Sequence, residues 1–200
     1  MYRKNMLNKI LLSSLLFCTA CDPVTIALGS AAAAGTVTVR DKEGITGEIS
    51  DAYLRKKIEA KLFSKDTDLF DRVELIVKHG IVVVIGSVDD ESQIERIKEI
   101  VGKVQKDKVY FELHVQPATD AKTFAVDAGI TSRINAFLRA DGNVSSLNYE
   151  LSTVRGVVYI CGTAMTPYER DVVLNYARTT SEVEKVVSYI VIDKPGEEDN

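Results

Sequence analysis

The feature that constrains this chain most is that it repeats itself. Ile58, Ala60 and Leu62 recur as Ile134, Ala136 and Leu138, and Glu74, Leu75, Gly80 and Gly86 recur as Glu150, Leu151, Gly156 and Gly162. Every pair is separated by the same interval, 134 − 58 = 76 positions. Matches at one constant offset make most of the chain two copies of a single unit, each short enough to be a small domain.

The hydrophobic periods inside each copy define its elements. Leu54, Ile58 and Leu62, spaced by four with Lys and Glu between them, predict an amphipathic helix capped by Ser50 or Asp51. Val73 to Val77 and Ile81 to Ile85 flank Lys78-His79-Gly80 and predict a β-hairpin. Asp89 or Asp90 then caps a second helix carrying Ile94, Ile97, Ile100, Val101 and Val104, and Val109 to Val115 forms a third strand. The second copy repeats the order: a helix near Phe124 to Arg139, strands Leu147 to Thr153 and Val157 to Thr163, a helix opening at Pro167, and a last strand Val183 to Ile192. The expected fold is α+β, αββαβ twice, each unit a three-stranded mixed sheet with two helices on one face.

The middle strands carry a further expectation. Ile81-Val82-Val83-Val84-Ile85 and Val157-Val158-Tyr159-Ile160-Cys161 do not alternate with polar residues, so both faces of each sheet are apolar there. One set packs on the helices. The other is expected to be covered by the sister unit or by a second molecule, with Val82 and Val84, or Val158 and Ile160, in that contact.

Ahead of the repeat, Arg3, Lys4 and Lys9 form a basic start, Ile10 to Phe17 an apolar run, and Thr19-Ala20 a small pair before Cys21. This is the layout of a secretory signal peptide, too short to span a bilayer. Cys-Thr-Ala-Cys resembles the lipobox of bacterial lipoproteins, with Cys18 where Leu is usual, and implies lipidation at Cys21. Residues 1–20 are then signal, 21–50 a lipidated N-terminus and tether, 51–117 and 121–194 the two domains, and 195–200 an acidic tail. The segment Val24 to Val39 is small and apolar, and Arg40 to Ser50 is read as a polar spacer.

Charge and composition exclude several functions. The formal net charge is -4, and removal of Arg3, Lys4 and Lys9 leaves -4 - 3 = -7, the wrong sign for a general nucleic-acid binder. His79 and His114 have no Cys or His at ligand spacing, so neither a metal nor a cofactor is expected. Acid pairs such as Asp89-Asp90 belong to helix caps, and no base is placed to activate a Ser or Thr, so no enzyme is expected. Cys161, inside an apolar strand, reads as a small core residue.

This arrangement resembles the BON domain family, αββαβ units with a glycine in the hairpin and another at the end of its second strand: Gly80 and Gly86, then Gly156 and Gly162. Two such units behind a lipidated cysteine look like dual-BON envelope lipoproteins of the DolP type; the OsmY type has two units and no lipobox. The resemblance implies binding of an anionic phospholipid membrane by the first helix of the second unit, in support of outer-membrane integrity. Carried over by position, the surface comprises Ile130, Arg133, Ile134, Phe137 and Arg139. The family's membrane-inserting Trp falls on Gly129, and this chain has no Trp. The alternative it implies is a periplasmic structural or chaperone-like protein that binds envelope proteins. Asp22 resembles an inner-membrane retention signal, whereas family analogy favours the outer membrane.

Overall fold

The computed structural model describes residues 42–193, with side chains from Ser50 onward; Cys21, the tether up to residue 41 and the tail at 195–200 lie outside the described residues. Unit 1 runs α1 (Lys42–Lys65), α2 (Thr67–Phe70), β1 (Val73–Lys78), β2 (Ile81–Val88), α3 (Glu91–Gly102) and β3 (Val109–Val115). Unit 2 runs α4 (Ala121–Ala140), β4 (Tyr149–Val154), β5 (Val157–Ala164), α5 (Pro167–Thr179) and β6 (Lys185–Ile192), with one 3-10 turn at Ser146–Asn148. In both sheets the strands lie in chain order, the first pair antiparallel and the second parallel. A parallel neighbour needs a crossover, which α3 and α5 supply. This is the expected double αββαβ fold.

Local chemistry explains most helix starts. Asp90 accepts from Gln93 N at 3.1 Å to cap α3, Asp120 accepts from the N–H groups of Lys122 and Thr123 to cap α4, and Thr166 with Pro167 opens α5. The first helix departs from expectation. It begins at Lys42, inside the segment read as a spacer, because Gly44 and Gly47 weaken a helix by only about 1 kcal/mol each and no proline stops it.

Asp51 is therefore not a cap, and its carboxylate does something else. It is 6% exposed and accepts from His79 N at 2.7 Å and Gly80 N at 2.8 Å, the two central residues of the β1–β2 turn. Asp127, 4% exposed, does the same for Arg155 N and Gly156 N at 2.7 and 2.9 Å. Those residues have φ of 51° and 72° in unit 1, and 52° and 74° in unit 2. Two successive positive φ values make the tight turn that matches strand twist, and glycine accepts the second without strain. A buried carboxylate thus clamps each first helix to its hairpin through two charge-assisted bonds. Gly86 has a different reason: a Cβ there would lie 2.6 Å from the Arg72 carbonyl, so only glycine lets the chain pass.

The sheets have two dry faces. Val82, Val84 and Val88 join Ile58, Leu62, Ile94 and Ile97 in the helix-side core of unit 1, and Val158 and Ile160 join Ile130, Ile134, Leu138 and Val173 in that of unit 2. On the opposite face, Ile76, Ile81, Val83 and Ile85 pack against Tyr159 and Cys161, so the two open sheet faces cover one another. The expected covering by the sister unit is therefore present, but the residues expected in it are corrected. Val82, Val84, Val158 and Ile160 face the helices, and the alternate set makes the contact. A continuous apolar run gives the period without saying which phase meets the helices, and a shift of one residue exchanges the faces. Because the sister unit occupies this face, it is not available to a second molecule.

Polar contacts rim the inter-sheet core. Arg55 of α1 reaches Glu150 of β4 with Nη2 at 2.5 and 2.7 Å from the two carboxylate oxygens. Tyr189 packs on Tyr110 with ring centroids 4.5 Å apart and planes tilted by 38°, and donates its hydroxyl to Glu112. The Arg155 guanidinium holds the inter-unit connection by donating to Pro117 O at 2.6 Å.

Candidate membrane-facing surface

The five residues expected on α4 separate into two groups. Ile130 and Ile134 are fully buried in the core of unit 2, and this corrects the expectation: they fall on the stripe that includes Leu138 and meets the sheet, so neither reaches a membrane in the folded protein. Arg133, Phe137 and Arg139 are exposed. Arg133 is already engaged, donating to Glu182 Oε2 at 2.7 Å and to Ser181 O at 3.2 Å. Phe137 lies flat against Tyr176, with centroids 5.5 Å apart and planes 9° apart. A Cβ on Gly129 would meet nothing within 4 Å, so this position points away from the core and carries no side chain to use there.

The same position of unit 1, 129 − 76 = 53, is Tyr53, which is 68% exposed. Along the outer face of α1, Lys56, Lys57, Lys61 and Lys65 are exposed together with Tyr53 and Phe63. The only carboxylate of this stretch after Asp51 is Glu59, which is half-buried and paired with Lys56 at 3.4 Å. Phe63 is 58% exposed and makes an edge contact with Phe70 at 5.6 Å. Sequence reasoning did not reach this face; applying the 76-residue offset to Gly129 points to it.

Other candidate chemistry is structural. Among the described residues no group of His, Cys, Asp and Glu could hold a metal, and no helix is long and apolar enough to cross a membrane. The Cys161 thiol is buried, which with the nearby acids Glu150 and Asp51 pushes its pKa up to about 12. Burial likewise raises the Glu150 carboxyl above its ordinary value, with Arg55 acting in the opposite direction.

These features define a class: two αββαβ units in tandem, joined face to face through their sheets. The BON domain model matches residues 50–117 and 126–194, and the chain belongs to the BON domain family. It is 30% identical over 152 residues to an uncharacterised protein of Anaplasma centrale from the gshII 5′ region, covering 71% of this chain and 94% of that one. It is 25% identical to a 21 kDa hemolysin of Actinobacillus pleuropneumoniae, over 72% of this chain and 74% of that protein. It is 27% identical to osmotically inducible protein Y of Escherichia coli, over 69% and 70%.

Proposed function

We propose that this is an envelope protein, anchored by a lipid on Cys21, whose BON units bind anionic phospholipid and support the integrity of the outer membrane. The carrying observation is the outer face of α1, with four exposed lysines and two exposed aromatics. Basic residues near an anionic surface contribute about 1 kcal/mol each, so Lys57, Lys61 and Lys65 give roughly 3 kcal/mol, Lys56 adds less because Glu59 pairs with it, and the amphipathic aromatic rings add to this. Arg139 and Phe137 extend the surface in unit 2, while Arg133 contributes less because Glu182 already neutralises it. Relatedness to an osmotically inducible protein and to a hemolysin supports an envelope setting.

Vesicle flotation of the mature chain with Cys21→Ser tests the reading. Binding is expected to phosphatidylglycerol-containing vesicles and not to phosphatidylcholine, to weaken with salt, and to fall sharply in Lys57→Glu/Lys61→Glu. Equal flotation on both vesicle types, or none at low salt, overturns it. A second reading, a structural or chaperone-like envelope protein that holds protein partners, is favoured by the cleft described next.

A further inference from the structure

We infer that the cleft between α4 and β1 is a binding site for an arginine side chain of a partner polypeptide. The protein's own duplication supplies the comparison. In one half of the inter-unit boundary, Arg55 of α1 donates to the carbonyl of Leu75 and to both oxygens of Glu150, and Val77 N–H supports the same carboxylate. The guanidinium thus covers the free edge of β1, and the space left there is about 230 Å³. In the other half the equivalents, each 76 positions on or back, are Thr131 for Arg55, Leu151 for Leu75 and Glu74 for Glu150. Thr131 is too short to cross and bonds Thr153 instead, Oγ to Oγ at 2.7 Å. Where the guanidinium would lie there is a cleft of about 630 Å³ lined by Glu74, Thr131, Asn135, Leu151 and Phe124.

By the 76-residue equivalence the cleft places Glu74 and Leu151 where the arginine site has Glu150 and Leu75, with no arginine on α4 to meet them. Glu74 is exposed, lines both this cleft and the space beside Arg55, and makes no ion pair among the described residues. Arg72, the basic residue of the lining, is taken by Asp89 at 2.8 Å. Leu151, Val154 and Phe124 supply apolar wall for the stem of an incoming side chain. A guanidinium suits this geometry better than an ammonium, since its planar fork serves a carboxylate and a neighbouring carbonyl together. The volume exceeds one side chain, which fits an arginine presented on a peptide more than a free amino acid.

The test uses the mature chain with Cys21→Ser, labelled with 15N, titrated with acetyl-Leu-Arg-Leu-amide and with the same peptide carrying neutral citrulline. Saturable shifts at Glu74, Thr131 and Leu151 are expected for the arginine peptide, at least about tenfold weaker for citrulline. Glu74→Gln should remove the preference, and Thr131→Arg, which restores an arginine in cis, should abolish binding. Glu74→Gln changes an exposed side chain and decides the matter even if Thr131→Arg fails to fold. Equal binding of both peptides, unchanged binding in Glu74→Gln, or no saturable shift up to about 10 mM overturns the inference. Arginine amide binding as tightly as the peptide overturns its polypeptide part. Vesicle flotation by Glu74→Gln is expected to stay at wild type, which separates this site from the lipid surface.

Discussion

In unit 1 the first helix sends Arg55 across to Glu150, whereas at the same place in unit 2 Thr131 turns back to Thr153 and Glu74 stays unpaired among the described residues. The outer helix faces differ as much: Tyr53, Lys56, Lys57, Lys61 and Phe63 stand where unit 2 has Gly129, Ser132, Arg133, Phe137 and Arg139. Against this, Asp51 and Asp127, Gly80 and Gly156, Ile58 and Ile134, and Leu62 and Leu138 are held in both copies. At these eight positions backbone geometry or burial leaves one solution, whereas exposed Ala60 and Glu74 show that retention is not confined to such positions. Most of the positions that face water or the sister unit on the first helices are released from that demand, and the two copies have diverged there into different surfaces.

The strongest challenge to this picture is a charge at the shared sheet faces. Ile85→Lys buries an unpaired ammonium at a residue 1% exposed, and should cost about 3–5 kcal/mol. Urea unfolding should then resolve two transitions where the parent shows one; a single transition at unchanged midpoint means that the faces do not hold the units together. Next in size are the clamps. Asp51→Ala and Asp127→Ala each lose two charge-assisted bonds to turn amides, and a loss of about 3 kcal/mol is expected for both by denaturant unfolding. A large cost in one unit and none in the other would break the equivalence of the clamps.

The one-sided Arg55 contact gives a smaller, pH-dependent effect. Glu150 has a folded-state pKa raised by burial, so it favours the folded state most below its ordinary range, and that contribution is lost as pH rises through the folded value. Arg55→Met removes the group opposing the rise. The variant should lose little stability near pH 4 and about 1–2 kcal/mol at pH 7, since both partners are partly solvated. A deficit that shrinks toward neutral pH contradicts the assignment. The smallest effect concerns Cys161, in the inter-sheet core with its pKa at about 12: iodoacetamide at pH 8 should leave it unmodified until denaturant is added.

The double αββαβ order was readable because the repeat, the hairpin glycines and the spacing of Leu54, Ile58 and Leu62 each follow from local rules. What was not readable depends on phase and on long-range partners. The run Ile81 to Ile85 is apolar throughout, so nothing in it distinguishes Val84, toward the helices, from Val83, toward the sister sheet. Asp51 stands where a cap is expected and its partners lie 28 and 29 residues on, beyond the reach of a capping rule. On α4 the resemblance supplied a segment, whereas burial sorts that segment residue by residue: Ile130 and Ile134 inward, Arg133 and Arg139 outward. The repeat itself also slips. Gly86 pairs with Leu113 and Gly162 with Ile190, and 190 − 113 = 77, so one residue is inserted before the last strand and the constant offset ends there.

The mutual covering of the sheets sets an order of events during synthesis. Unit 1 leaves the ribosome first, and its patch of Ile76, Ile81, Val83 and Ile85 has no cover until Tyr159 and Cys161 follow. Elongation at about 5–20 residues per second makes that wait several seconds, longer than small domains commonly need to fold. Throughout it the nascent first unit is a sticky half-product. Export of the chain as proposed above would give reason to keep it unfolded with a holdase until both halves can close together on the far side, and a release of unit 1 alone would yield a species prone to pair with its own kind.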